Sequence, residues 1–138
     1  MKVQVIRSNR KTIGLEVRAD ESVILRAPAV DEISDVEWKS ILGEFTERVK
    51  NFCKVMDVTV GRITIRNQKT RWGSCSSKGN VNFNYQLYYM PRELMDYVII
   101  HELSHRRHMN HSAEFWQEVE KYCKTYRECR KKLRDYEI

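Results

Sequence analysis

The stretch PRELMDYVIIHELSHRRHMNH, residues 91–111, holds all four histidines of the chain. Its spacing predicts one helix. Pro91 sits where a proline at the first helical position would, and the helix runs toward Asn110, a residue that tolerates the left-handed conformation ending many helices. Leu94, Tyr97, Val98 and His101 share one face, and Met95, Ile99 and Leu103 share another. A helix that is apolar on two sides belongs in the middle of a molecule.

His101 and His105 stand four residues apart, so on a helix they project from one face, roughly 6 Å from each other. Two imidazoles so placed can each reach one Zn²⁺ at about 2.0 to 2.1 Å. Glu102 points slightly aside, where its carboxylate can meet a water on the metal without becoming a ligand. That is the mechanical sense of H-E-x-x-H: two ligands and a general base from five residues.

A catalytic zinc takes three protein ligands and leaves a fourth position for water. His111 suits the third place, because it lies beyond the expected helix end at Asn110, where a turning chain can bring its ring back over the metal. His108 is a rival on the same helical face, but a helix still running there would set it about 10 Å along the axis from His101. Glu118, farther along the chain, is another rival. With 4 His and 13 Glu in 138 residues, shuffled sequences would contain the motif roughly 0.8% of the time. Chance is therefore a poor explanation.

Outward from this helix, the preceding segment reads as β structure. Ile63 and Ile65 alternate with Arg62, Thr64 and Arg66. Residues 70–87 then read as a hairpin on a three-stranded sheet, turning at SSKGN, with Val81, Phe83, Tyr85 and Leu87 on one face and Asn82, Asn84 and Gln86 on the other. Gly73 and Gly79 suit a turn or bulge.

Farther upstream, Val3 and Val5 alternate, as do Ile13, Leu15 and Val17. Val23-Ile24-Leu25 follows a polar turn at Asp20-Glu21-Ser22, which predicts a small antiparallel β unit. Ser34 opens a helix whose apolar positions, from Val36 and Trp38 to Phe52 and Cys53, recur every three or four residues. Downstream of the histidines, Ser112 caps an amphipathic segment carrying Phe115, Trp116, Val119, Tyr122, Cys123 and Tyr126.

The expected fold class is α+β: a small antiparallel sheet packed on a central HExxH helix, with an N-terminal β unit and C-terminal helices. Residues 1–138 read as a single domain, with residues 1–30 a small β appendage. Hydrophobic residues at 41% and charged residues at 32% suit a folded globular chain and exclude a disordered one. No apolar run approaches the roughly 18 residues of a membrane span, and the N-terminus lacks a secretory pattern. Cys53, Cys75, Cys123 and Cys129 form no C-x-x-C pair, so reduced, mostly buried thiols in a cytoplasmic protein are expected.

The net charge of +6 is uneven. Residues 121–138 carry seven Lys or Arg against three acids, and residues 61–80 carry five against none. Two basic patches can face an anionic partner or merely be solvated.

The run TRWGSCSSKGNVNFNYQLYYMPRELMDYVIIHELSHRRHMNHSAEFW resembles the YgjP-like metallopeptidase domain, a relative of the SprT-like zinc proteases. R-W-G-S-C (Arg71 to Cys75) and N-H-S-x-x-F-W (Asn110 to Trp116) carry the resemblance, which is close over residues 63–120. It implies a compact zincin-like fold, one zinc ion held by His101, His105 and His111, and Glu102 as the catalytic carboxylate. Arg106 stands where that family usually has an apolar residue, and the tail is short and basic.

The expected function is a zinc-dependent metallopeptidase acting on peptide or protein substrates. The metal lowers the pKa of its water to about 7, and Glu102 takes the water proton and passes it to the leaving amine. Arg71, Tyr97 and His108 are candidates to stabilise the oxyanion, and the 70–87 hairpin is a candidate edge for an extended peptide. The alternative is a DNA-associated SprT-like protease, or a nucleic-acid-binding module whose zinc is structural.

Overall fold

A buried apolar stripe at helical spacing organises the N-terminal half. Trp38, Ile41, Phe45, Val49 and Met56 recur along helix α1 (Asp35–Met56), and all five are buried. Each such side chain taken out of water contributes about 1.5–3 kcal/mol. Ser34 caps this helix, its hydroxyl accepting from the Glu37 amide, and Asp57 ends it in the left-handed conformation. The buried stripe begins at Trp38, two residues later than the sequence suggests, because Val36 is 76% exposed.

The computed structural model describes residues 2–6, 15–17, 23–25, 27–68 and 70–136. Strands β1 (Lys2–Ile6), β2 (Leu15–Val17) and β3 (Val23–Leu25) precede α1, and β4 (Arg62–Arg66), β5 (Gly73–Cys75) and β6 (Val81–Asn84) follow it. A 3-10 segment (Tyr85–Tyr89) leads to helix α2 (Arg92–Ser104), then α3 (Ala113–Tyr122) and α4 (Tyr126–Asp135). Ile13 and the expected turn at Asp20–Ser22 lie outside the described residues.

The main sheet is mixed, which corrects the antiparallel expectation. Its order is β1-β4-β6-β5, with β1 and β6 parallel to β4 and only β5 antiparallel to β6. Parallel neighbours need a long connection. Helix α1 lies within the one between β1 and β4, and residues 67–80 make the one between β4 and β6. The N-terminal appendage also divides: β1 joins the main sheet, and only β2 and β3 form a separate antiparallel pair. The β5–β6 hairpin is as expected, with Gly73 opposite Phe83 and Cys75 opposite Val81.

Strand β6 stops at Asn84, earlier than its alternation suggests. The Asn84 carboxamide accepts from the Gln86 amide and donates to the carbonyls of Gln68 and Arg71, so a fully buried polar side chain turns the strand into the 3-10 segment. Tyr85 and Leu87 still reach the core. Phe83 stacks on Phe45 at 5.7 Å, and Trp38 tilts against Tyr85 at 5.7 Å, joining sheet to α1.

Helix α2 lies centrally, touching α1, α3, α4, β5 and β6, as its two apolar faces require. Pro91 precedes it rather than occupying its first position. It also ends sooner than expected. From His105 to Arg107 the amides bond three residues back, His105 to Glu102, Arg106 to Leu103 and Arg107 to Ser104, and the chain leaves the helix. The C-terminal amphipathic segment is two helices, broken at Cys123–Thr125. The four cysteines are free thiols, Cys129 buried and the others half-buried. Among the described residues no helix is long and apolar enough to cross a membrane.

Candidate metal centre

The tight last turn of α2 determines where its histidines point. His101 projects from the last full turn, and His105 sits at the cap. The chain then reverses through residues 106–110, and Ser112 opens α3 by accepting from the Phe115 amide. This return brings His111 over the helix end. The ligand atoms of His101, His105 and His111 all lie within 4.8 Å of one another.

The short reversal is braced by the two arginines inside the motif. Arg106 donates to the carbonyls of Thr59 and Ser77, clamping the end of α2 to the β5–β6 turn. Its guanidinium fills the space beside Gly79, whose φ of +88° suits glycine and where a Cβ would come within 2.7 Å of Arg106 Cζ. Arg107 donates to the carbonyls of Met56 and Asp57, two acceptors at the end of α1, and meets the buried Glu118 at 3.6 Å. Arg106 is thus a strut.

The rings are held by neighbours as well as by backbone. His105 stacks on Phe115 at 4.5 Å, His111 on Trp116 at 5.9 Å, and His101 meets both aromatics edge-on. Nδ1 of His105 lies 3.1 Å from the His108 carbonyl, and Nδ1 of His101 lies 3.1 Å from the Tyr97 hydroxyl. Both contacts leave Nε2 as the inward atom.

A metal fits this set. The Nε2 atoms of His101 and His111 are 3.3 Å apart, which is about the separation of two ligands each 2.0–2.1 Å from one tetrahedral centre. Burial, with His105 and His111 nearby, holds the His101 pKa down at about 3. Burial also lowers that of His105. Both rings are therefore neutral near pH 7, the form that binds metal.

Glu102 is 7% exposed beside the trio. Burial pushes its carboxyl up to about 8, against the pull of the Arg71 guanidinium. It lines a cleft of about 310 Å³ with His101, Tyr97, Arg71, Arg130 and Arg134. Strand β5, at the sheet edge, runs close beneath. A Cβ on Gly73 would lie 3.1 Å from Glu102 Cγ and 3.0 Å from the Asn82 carbonyl. Gly73 thus serves close approach to α2, more than a turn.

His101, Glu102, His105 and His111 come together as the sequence suggests. His108 contributes its carbonyl rather than its ring, and Glu118 is engaged by Arg107 and Lys121. Tyr97, a candidate oxyanion donor, has its hydroxyl 3.1 Å from Nδ1 of His101. The aromatic wall of Phe115 and Trp116 was visible only as a motif. The contribution of α4 was foreshadowed only by the i, i+3, i+4 spacing of Arg130, Leu133 and Arg134.

A family signature described as YgjP-like, metallopeptidase domain, matches residues 29–136. No curated protein matches significantly. The fold is similar to that of the metallopeptidase zymogen abylysin of Pyrococcus abyssi (TM-score 0.56, 24% identity, 68% of this chain and 99% of that one). It is also similar to the metallopeptidase zymogen jannalysin of Methanocaldococcus jannaschii (0.57, 23%, 64% and 92%). Wss1 of Saccharomyces cerevisiae covers more of the chain (0.59, 14%, 95% and 91%). The chain belongs to the YgjP-like metallopeptidase family, a membership that implies peptide or protein substrates.

Proposed function

We propose that this member of the YgjP-like metallopeptidase family is a zinc-dependent peptidase of zincin-like build, with His101, His105 and His111 holding the ion and Glu102 as general base. The observation that carries the reading is the convergence of three imidazoles within 4.8 Å beside a buried carboxylate. Zinc in such a site supplies a water acidified to about pKa 7 and a Lewis acid for the scissile carbonyl.

The chain's own groups do the rest. Tyr97 and the His108 carbonyl accept the Nδ1 protons of His101 and His105, which fixes the tautomers and aims both Nε2 lone pairs inward. Glu102 accepts the proton of the attacking water on its carboxylate and delivers it to the leaving amine. Strand β5, at the edge of the sheet among the described residues, offers an edge for an extended peptide. Arg71, which reaches the cleft, is the side chain best disposed to meet developing negative charge on the carbonyl oxygen.

Metal analysis paired with a peptide-library digest tests this. The purified chain should carry about one zinc and cleave peptides, whereas Glu102→Gln should keep zinc and lose cleavage by about 10² to 10⁴ in kcat. Full activity in Glu102→Gln would end the assignment of the base.

A second reading, association with nucleic acid, is supported by a polar pocket in which Arg66 and Arg71 stand together with Asn67, Gln68 and Asn82. Duplex binding that weakens steeply with salt would support it. No binding at low salt would end it.

A further inference from the structure

The two basic stretches of the sequence meet at one place. Arg71 reaches the cleft from the segment before β5, and Arg130 and Arg134 reach it from α4, so three arginines line the cleft that also holds Glu102 and His101. Arg130 and Arg134 are one turn apart on α4 and flank Leu133, which is 5% exposed and anchors that face of the helix. The Arg130 guanidinium lies 4.4 Å above the ring of Trp116, which fixes its position beside the metal centre.

Among the described residues none of the three is in an ion pair with a carboxylate. Between them the wall is apolar, built from Tyr97, Val98 and Leu133. A cleft of about 310 Å³ lined by apolar side chains and three arginines is complementary to a short aliphatic stem ending in a planar anion, because guanidinium and carboxylate pair in a bidentate fork.

Resting on the peptidase reading, we infer that this cleft recognises a carboxylate of the peptide substrate next to the scissile bond. The anion comes from an Asp or Glu side chain or from the substrate's C-terminus. A nucleic-acid duplex is a less suitable occupant, since it would lie across the rim and leave the concave, apolar part of the cleft unfilled.

The experiment uses the full chain loaded with zinc and matched peptides that differ only in Glu or Gln beside the cleaved bond. Each peptide carries a free or an amidated C-terminus. Turnover is measured with the wild-type protein, and binding is measured separately by fluorescence anisotropy with Glu102→Gln. The charged peptide should be favoured about tenfold or more in both kcat/KM and Kd, the scale of one charge-assisted hydrogen bond. Arg134→Gln and Arg130→Met, the latter keeping an apolar contact on Trp116, should each shrink that ratio.

An advantage that survives amidation assigns the side chain, and one that disappears assigns the terminus. Equal handling of all four peptides would overturn the carboxylate site while leaving the peptidase reading intact. Failure to cleave any peptide would remove the peptidase reading, with the binding ratio still reporting on the pocket. Loss of duplex binding in the arginine variants with an unchanged peptide ratio would reassign these arginines and overturn the inference.

Discussion

The Tyr97 hydroxyl lies 3.1 Å from Nδ1 of His101, one turn downstream on the same helix. Tyr97 is 4% exposed, and burial holds its hydroxyl well above the usual phenol pKa, so it stays protonated and neutral at any working pH. A neutral hydroxyl oxygen at that place can accept the Nδ1 proton, the tautomer that would leave Nε2 for a metal. Tyr97→Phe should therefore lower zinc affinity about tenfold to a hundredfold, read by competition with a chelating dye. An unchanged affinity would reduce the contact to packing.

His111 and His108 should separate cleanly. His111→Ala removes a ring from the trio and should leave the chain with little zinc after dialysis. His108→Ala keeps the carbonyl that His105 uses and should retain the metal. Equal loss in both variants would mean that the His108 ring contributes.

Gly73→Ala tests how closely β5 supports Glu102. A methyl group there meets Glu102 Cγ and Val98 Cγ1, each at 3.1 Å, tighter than ordinary van der Waals contact. The substitution should cost about 1–3 kcal/mol in urea unfolding, as overpacking does. It should also lower kcat more than it raises KM, because the displaced group is the proposed base. Wild-type kinetics would show that the helix yields without moving the carboxylate.

Arg107→Ala should lower stability by about 1–2 kcal/mol, because it strips a donor from the carbonyls of Met56 and Asp57 and a partner from buried Glu118. Much of the Arg107 side chain is exposed, which keeps its ion-pair part small. The loss in Arg107→Ala/Glu118→Gln should be smaller than the sum of the two single losses, as expected for groups in one network.

Without metal, stability should peak near pH 6.5. Glu102 titrates at about 8 in the fold against an ordinary 4.5. Between those values the folded chain holds a proton that the unfolded chain has released, and stability falls as pH rises. His101 titrates at about 3 against an ordinary 6.5. Between those values the unfolded chain holds the extra proton, and stability falls as pH falls. The two slopes oppose each other from 4.5 to 6.5, where His105 adds to the histidine side. From pH 6.5 to 8 only Glu102 acts, for a loss of about 2 kcal/mol. Unfolding in chelator across this range should show the decline, and Glu102→Gln should flatten it.

Local pattern was enough for much of this molecule. The spacing of His101, Glu102 and His105, the caps at Ser34 and Ser112, and the alternation around Ile63, Ile65, Val81 and Phe83 are each set by a repeat of two or 3.6 residues. Those repeats are properties of neighbouring backbone, so they are readable in one dimension. The return of His111 toward His101 and His105 was legible too, from its place beyond the expected turn at Asn110.

What the tertiary structure decided depends on contacts between distant residues. The mixed sheet follows from how the connections holding α1 and residues 67–80 return the chain beside β4, which no alternation of side chains encodes. Helix α2 stops at Ser104 with Arg106 and Arg107 clamped on carbonyls of Thr59, Met56 and Asp57, about fifty residues earlier. The placing of Arg130 and Arg134 in the cleft requires α4 to lay one particular face against α2. Periodicity along a chain says which residues share a face, and only packing says what that face meets.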